Sequence, residues 1–154
     1  MYGLKLLFKK LDPRATIPSF GGGDGLNAGL DLYACLPAHK QWVEIPIGGS
    51  AVIPTGIAWE PVSGSRCALI VQSRSGLAFK AGIEASNAGV VDMGFRGDIS
   101  VKLYNHGNET YVINHGDRIA QGIVYLLPDI ASIEEVDELG PSVRGVAGFG
   151  STGR

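Results

Sequence analysis

At 154 residues, 45% hydrophobic and 18% charged, with a formal net charge of −2, the chain is one domain's worth of sequence and lacks the basic footprint that a nucleic-acid partner requires. A domain of this length buries roughly 68–70% of the surface its extended chain exposes, enough for a core of its own. So high an apolar fraction with so little charge also predicts that part of the apolar surface is covered between subunits. No run of about 18 apolar residues occurs, and the first ten residues alternate instead of forming an unbroken apolar core, so neither a membrane span nor an export signal is expected. The expected setting is the cytoplasm, or a host cytoplasm for a viral protein.

In chain order, Leu4, Leu6 and Phe8 alternate with Lys5 and Lys9, the pattern of a half-buried strand. Pro13 and Pro18 bracket a non-helical connection, and a flexible glycine-rich loop follows at residues 21–25. Residues 28–34 read as a strand with Asp31 and Tyr33 opposite Leu30, Leu32 and Ala34, and a solvated face would explain Asp31 as well as a functional role would. Residues 42–47 and 51–58 read as strands joined at Gly48-Gly49, a hairpin signal, with Pro46 and Pro54 marking edges or bulges. Residues 66–72 are apolar on both faces and read as a fully buried strand. A short helix is plausible only near residues 79–82. Strands are expected again at residues 99–104 and 109–113, joined through a turn at residues 105–108, and an apolar run follows at residues 123–127. Many short strands at roughly 8–12-residue spacing, with almost no helical period, predict an all-β sandwich or barrel, and a jelly roll is preferred.

The cysteines, Cys35 and Cys67, lack CxxC spacing and fall in apolar strand-like runs, which predicts buried thiols in a reducing compartment. His39, His106 and His115 lack metal-ligand spacing, so no protein-bound zinc is expected.

The stretch from Asn87 to Asp98 carries the chemistry. Val90 and Val91 are strand formers expected to be buried, Gly94 and Gly97 allow the positive φ of a tight hairpin, and Asp92 is held at a strand end beside Phe95. An aspartate beside glycine ordinarily caps local amides. Fixed here, its carboxylate can instead take a proton from water while the ring packs on a sugar or a base.

The last stretch, residues 142–154, interleaves glycines with Phe149, Ser151 and Thr152 and carries Arg144 and Arg154. Glycines let amides approach phosphate oxygens, and arginine supplies forked donors. A likeness to a Walker A loop fails on context, because no strand-loop-helix surrounds it. A lone ring in a polar arm predicts instead a flexible arm, distinct from a β domain of residues 1–141, that folds over a ligand with Phe149 stacked on a base.

Five segments follow in order: Ala28-Gly29-Leu30-Asp31-Leu32, Ser73-Arg74-Ser75-Gly76, residues 89–97 around Asp92 and Phe95, Gly116-Asp117-Arg118-Ile119-Ala120-Gln121, and residues 144–153. Each is weak alone, but the ordered set resembles the homotrimeric deoxyuridine triphosphatase family over nearly the whole chain. The resemblance implies a jelly-roll homotrimer with active sites shared between subunits, which hydrolyses dUTP to dUMP and pyrophosphate, lowering dUTP and supplying dUMP for thymidylate synthesis. It makes Asp92 the base that deprotonates the attacking water and Phe95 the ring packed on deoxyribose. Asn87, Val90 and Val91 belong to the hairpin edge that reads uracil through main-chain groups. Arg74, Ser75, Gly76 and Gln121 hold phosphate, and Arg144, Phe149, Gly150 and Ser151 belong to the closing arm, usually a neighbour's. Asp31 acts on Mg²⁺ through water, the metal being held mainly by the triphosphate. No nucleic-acid or membrane partner is implied. Many members have Asp-Tyr where this chain has Gly94-Phe95, so a second carboxylate and a phenol are absent, which bears on hairpin rigidity and turnover.

Two rival readings fit parts of the pattern. A deoxycytidine triphosphate deaminase of the same fold needs a glutamate near the cytosine ring, where this chain has Lys102. A non-catalytic jelly-roll trimer would have no use for Asp92 and Phe149.

Overall fold

The computed structural model describes residues 4–22, 25–62, 64, 66–143 and 145–146. Among them the chain forms β1 (Lys5–Lys10), β2 (Ser19–Phe20), β3 (Leu30–Tyr33), β4 (Trp42–Ile45), β5 (Ser50–Ile53), β6 (Ile57–Val62), β7 (Cys67–Gln72), α1 (Ser75–Ala81), β8 (Ile83–Ala85), β9 (Val90–Asp92), β10 (Val101–Asn105), β11 (Tyr111–Asn114) and β12 (Arg118–Leu126). All pairings are antiparallel. The largest sheet runs β2-β3-β12-β7-β9, and smaller ones run β1-β6, β5-β10-β8 and β11-β4. Each sheet sends side chains into one core: Leu32, Leu69 and Ile119 from the first, Ile57 and Trp59 from the second, Ile53, Ile83 and Leu103 from the third, Ile45 and Ile113 from the fourth, all buried. This is the all-β, jelly-roll arrangement that the strand spacing predicts, with one short helix.

The helix is longer than the sequence suggests and ends where Gly82 takes the left-handed conformation (φ 66°, ψ 24°) and its N–H bonds back to Ala78 and Leu77, a glycine stop. Two expected hairpins are absent. β4 and β5 flank Gly48 but join different sheets, β4 pairing with β11 and β5 with β10. Gly48 keeps its positive φ of 70°, and the turn it makes carries the chain between sheets. Likewise β9 pairs with β7 and not with β10, and neither Gly94 nor Gly97 has a positive φ. Val90 is 58% exposed because β9 is the last strand of its sheet.

Asp31 is not on a solvated face. β3 lies between β2 and β12, and Leu30, Asp31 and Leu32 are all buried. Cys35 and Cys67 are free and buried, and burial pushes both thiols above their ordinary range, which keeps them protonated and weakly nucleophilic at neutral pH. Among the described residues no helix is long and apolar enough to cross a membrane.

Candidate active site

Apart from Asn87, the site residues within the described part of the chain fall into two clefts, one along the β7–β9 edge and one just beyond the end of β7. The first lies along β9. Ala68 pairs with Asp92, Leu69 with Val91 and Ile70 with Val90, and the Val71 N–H extends the contact to the Gly89 carbonyl at 2.7 Å. Gly89 is required by closeness: a Cβ there would stand 2.7 Å from the Val71 Cβ. An edge strand leaves alternate main-chain N–H and C=O groups pointing away from its one partner, and those of β9 face a cleft of about 260 Å³ lined by Ala88, Gly89, Val90, Val91, Asp92, Phe95 and Asp98, among others. Asn87 lies in the exposed turn just before that lining.

Past Asp92 the chain turns tightly, the Phe95 N–H bonding to the Asp92 carbonyl at 3.0 Å. The Phe95 ring, 45% exposed, lies on Gly97, where a Cβ would come within 2.5 Å of the ring's Cζ. Gly97 is therefore a seat for the ring. Two carboxylates line this cleft in different states. Asp98 accepts the amides of Thr55 at 3.1 Å and Gly56 at 3.0 Å, so both its oxygens are engaged, while Asp92 is exposed at the strand end.

The second cleft, about 280 Å³, gathers Asp31 of β3, Arg74, Ser75 and Gly76 at the start of α1, and Arg118 and Gln121 of β12. The Asp31 carboxylate stands between two guanidiniums, 3.3 Å from Arg74 Nε and 3.2 Å from Arg118 Nη1. Arg74 also donates to the Arg118 carbonyl at 2.9 Å, and Gln121 Nε2 donates to the Ser73 carbonyl at 2.9 Å. Two cations against one carboxylate leave this cleft net positive. Ser75 and Gly76 open α1, where the first amides have no carbonyl to bond within the helix.

Arg118 reaches the cleft through a bulge. Gln121 pairs with Asp31 and Ala120 with Leu32, yet Arg118 pairs with Tyr33. Strict alternation would turn Arg118 to the face opposite Gln121; the extra residue between Arg118 and Ala120 returns it to the Asp31 side, as bulges re-aim side chains. Sequence reasoning passed over Arg118 and Asp98. The first was legible only as the arginine of Gly116-Asp117-Arg118, and the second as one aspartate among several. Arg144, Phe149, Gly150 and Ser151 lie outside the described residues. Lys102 is exposed on β10, its ammonium 5.1 Å from the Tyr104 ring centroid.

An edge strand that offers main-chain groups beside a carboxylate and a ring suits a base and sugar, and a cationic cleft suits a polyphosphate; together they place the chain among the all-β nucleotide hydrolases. The dUTPase family model matches residues 18–153. The deoxyuridine 5'-triphosphate nucleotidohydrolase of Wolinella succinogenes is 43% identical over 152 residues, covering 98% of this chain and 95% of that protein. Its counterpart from Nautilia profundicola is 40% identical over 152 residues, covering 98% and 100%, and that of Arabidopsis thaliana is 38% identical over 147 residues, covering 94% and 81%. Among solved structures, a point mutant of the phage 80alpha dUTPase superposes with a TM-score of 0.79 at 22% identity over 96% of this chain and 98% of that one. A mutant dUTPase from phage phi11 of Staphylococcus aureus, described for its coordination of a structural Mg(II) ion, gives 0.68 at 22% identity over 87% and 99%. The chain belongs to the dUTPase family.

Proposed function

We infer that this chain hydrolyses dUTP to dUMP and pyrophosphate. A water oxygen attacks the α-phosphorus, its proton passes to the Asp92 carboxylate, and the bond from the α-phosphorus to the bridging oxygen breaks to release pyrophosphate. Asp92 serves because, of the two carboxylates in its cleft, it is the one whose oxygens are not committed to amides among the described residues; this observation carries the assignment. Main-chain groups of residues 88–91 read the uracil, and the Phe95 ring packs on deoxyribose, where a ribonucleotide's 2′-hydroxyl would collide with it. Arg74, Arg118, Ser75, Gly76 and Gln121 receive the phosphates. Residues 142–154 act as the closing arm, bringing Arg144 to phosphate and Phe149 to the base.

The clefts belong to different subunits of a homotrimer. Arg74 is six residues beyond Ala68, the partner of Asp92, and at about 3.3 Å per extended residue that places the two roughly 20 Å apart along β7. A general base must come within hydrogen-bond reach of a water at the phosphorus whose oxygens the arginines hold, so one chain's Asp92 works on phosphates held by another's Arg74. Unpaired apolar side chains favour such an assembly: Ile130, Ile133, Val136 and Leu139 are all more than half exposed in a segment without strand pairing.

Mg²⁺ fits as a passenger of the substrate. Among the described residues no three or more His, Cys, Asp or Glu side chains converge to hold a metal, and the cationic cleft supplies only the Asp31 carboxylate, already bridging two arginines. When bound, the ion offsets charge on the triphosphate and on the departing pyrophosphate. Asp31 is the residue that would hold it, through water, a supporting contact of the kind worth 10–100-fold in metal affinity. Asp31→Asn is therefore expected to raise the Mg²⁺ concentration for half-maximal rate by about tenfold or more. An unchanged Mg²⁺ titration would leave Asp31 only its bridge between arginines.

The activity is tested by pyrophosphate release from dUTP, dCTP, dTTP and UTP with Mg²⁺. A site whose hydrogen-bonding groups are left unpaired by the wrong base discriminates by about 10⁴. Comparable rates on dCTP or UTP would overturn the reading, and ammonia release from dCTP would replace it with deamination.

A further inference from the structure

β9 is three residues long, and its ladder with β7 ends at Asp92. Beyond it the turn has little side-chain support: a Cβ added at Gly94 would find nothing within 4 Å. Yet the turn is gripped from β6. Trp59, 1% exposed in the core, donates its indole N–H to the Asp92 carbonyl at 3.2 Å, the same oxygen that accepts the Phe95 amide. The next residue, Glu60, points to the other face of β6 and pairs with Arg96 at 3.3 Å. Arg96 in turn donates to the carbonyls of Met93 at 2.7 Å and Phe95 at 3.2 Å. Adjacent residues of one strand thus tie the three carbonyls that define the turn.

We propose that Trp59 is a positioning residue for Asp92, with the Glu60–Arg96 pair as its outer counterpart. A buried indole N–H needs some acceptor, so a hydrogen bond by itself would only satisfy a core donor. Its acceptor here is the main-chain oxygen of the residue whose carboxylate takes the proton, and that carbonyl and the carboxylate branch from one Cα. Asp92 is the last rung of the ladder, and with no side chain at position 94 the bond from the core joins the Phe95 amide in fixing the Cα from which the carboxylate branches. Loss of the bond leaves the substrate contacts in place and loosens the base, so the loss falls on turnover.

The inference rests on Asp92 as general base, and the test separates the two. Replacing Trp59 by β-(3-benzothienyl)alanine keeps the bicyclic ring and removes only the N–H; Trp59→Phe is the genetically encoded companion. Both are assayed as assembled full-length protein with dUTP and Mg²⁺ beside Asp92→Asn. The benzothienyl protein is expected to keep the oligomeric state and a KM within about twofold, and to lose about three- to tenfold in kcat, the scale of one hydrogen bond. Wild-type kcat in that protein, or a loss carried by KM, overturns the positioning role even if Trp59→Phe melts earlier. If Asp92→Asn itself turns over normally, the assignment of the base fails instead.

Discussion

Asp92→Asn is expected to slow dUTP turnover by about 10²–10⁴-fold, the usual worth of a positioned proton acceptor, with dUTP affinity largely kept. The substitution preserves shape and removes basicity. It is also expected to leave thermal stability within about 0.5 kcal/mol of the parent, as surface changes do. Among the described residues only the main-chain groups of Asp92 are bonded, its carbonyl to Trp59 and Phe95, and an asparagine retains those. The neighbouring Asp98 shows the opposite use of the same group: its oxygens hold the amides of Thr55 and Gly56 and so join the turn after β5 to the segment leading into β10. Steady-state kinetics with dUTP, a binding titration with a non-hydrolysable analogue and a melting curve together check the prediction. Near-normal turnover in Asp92→Asn would move water activation to another group.

The strands were legible wherever a side-chain pattern alone decides them. β7 reads as buried on both faces, and Cys67, Ala68, Leu69 and Val71 are buried, while the polar Gln72 that ends the run is exposed. Pairing partners were not legible, since Gly48-Gly49 marks a turn without saying which sheets it joins. The surroundings of Asp31 were not legible for a related reason. Alternation separates its face from that of Leu30 and Leu32, but whether that face meets water depends on Arg74 and Arg118, which lie far along the chain. Arg118 was missed because a one-residue bulge reverses its face, and no residue type announces the bulge. Gly97 was assigned to the right turn for the wrong cause: its φ is ordinary, and what excludes a side chain is the Phe95 ring. Of the motif residues, Asp92 and Phe95 line one cleft and Asp31, Arg74 and Gln121 the other.

The distance between those clefts yields the most discriminating expected result. Arg74→Ala removes one guanidinium from the cationic cleft and is expected to lower kcat/KM by about 10–100-fold, the scale of a hydrogen bond made by a charged group; Asp92→Asn lowers turnover for the separate reason above. If each site joins Asp92 of one subunit to Arg74 of another, a trimer containing both variants holds some sites in which both groups are intact: Arg74 from an Asp92→Asn chain, Asp92 from an Arg74→Ala chain. With random assembly from equal amounts, about one site in four of the whole mixture is of this kind, and about one in three within isolated mixed trimers, so these should recover roughly a quarter and a third of the wild-type rate per site. If each chain instead uses its own two clefts, every site carries one defect and mixing restores nothing. Unfolding and refolding the variants together, with distinguishable tags to isolate mixed trimers, measures this directly, and separately refolded parents blended afterwards give the baseline. No gain over that baseline in isolated mixed trimers would mean that some rearrangement within one subunit closes the roughly 20 Å along β7, and the shared site would have to be abandoned.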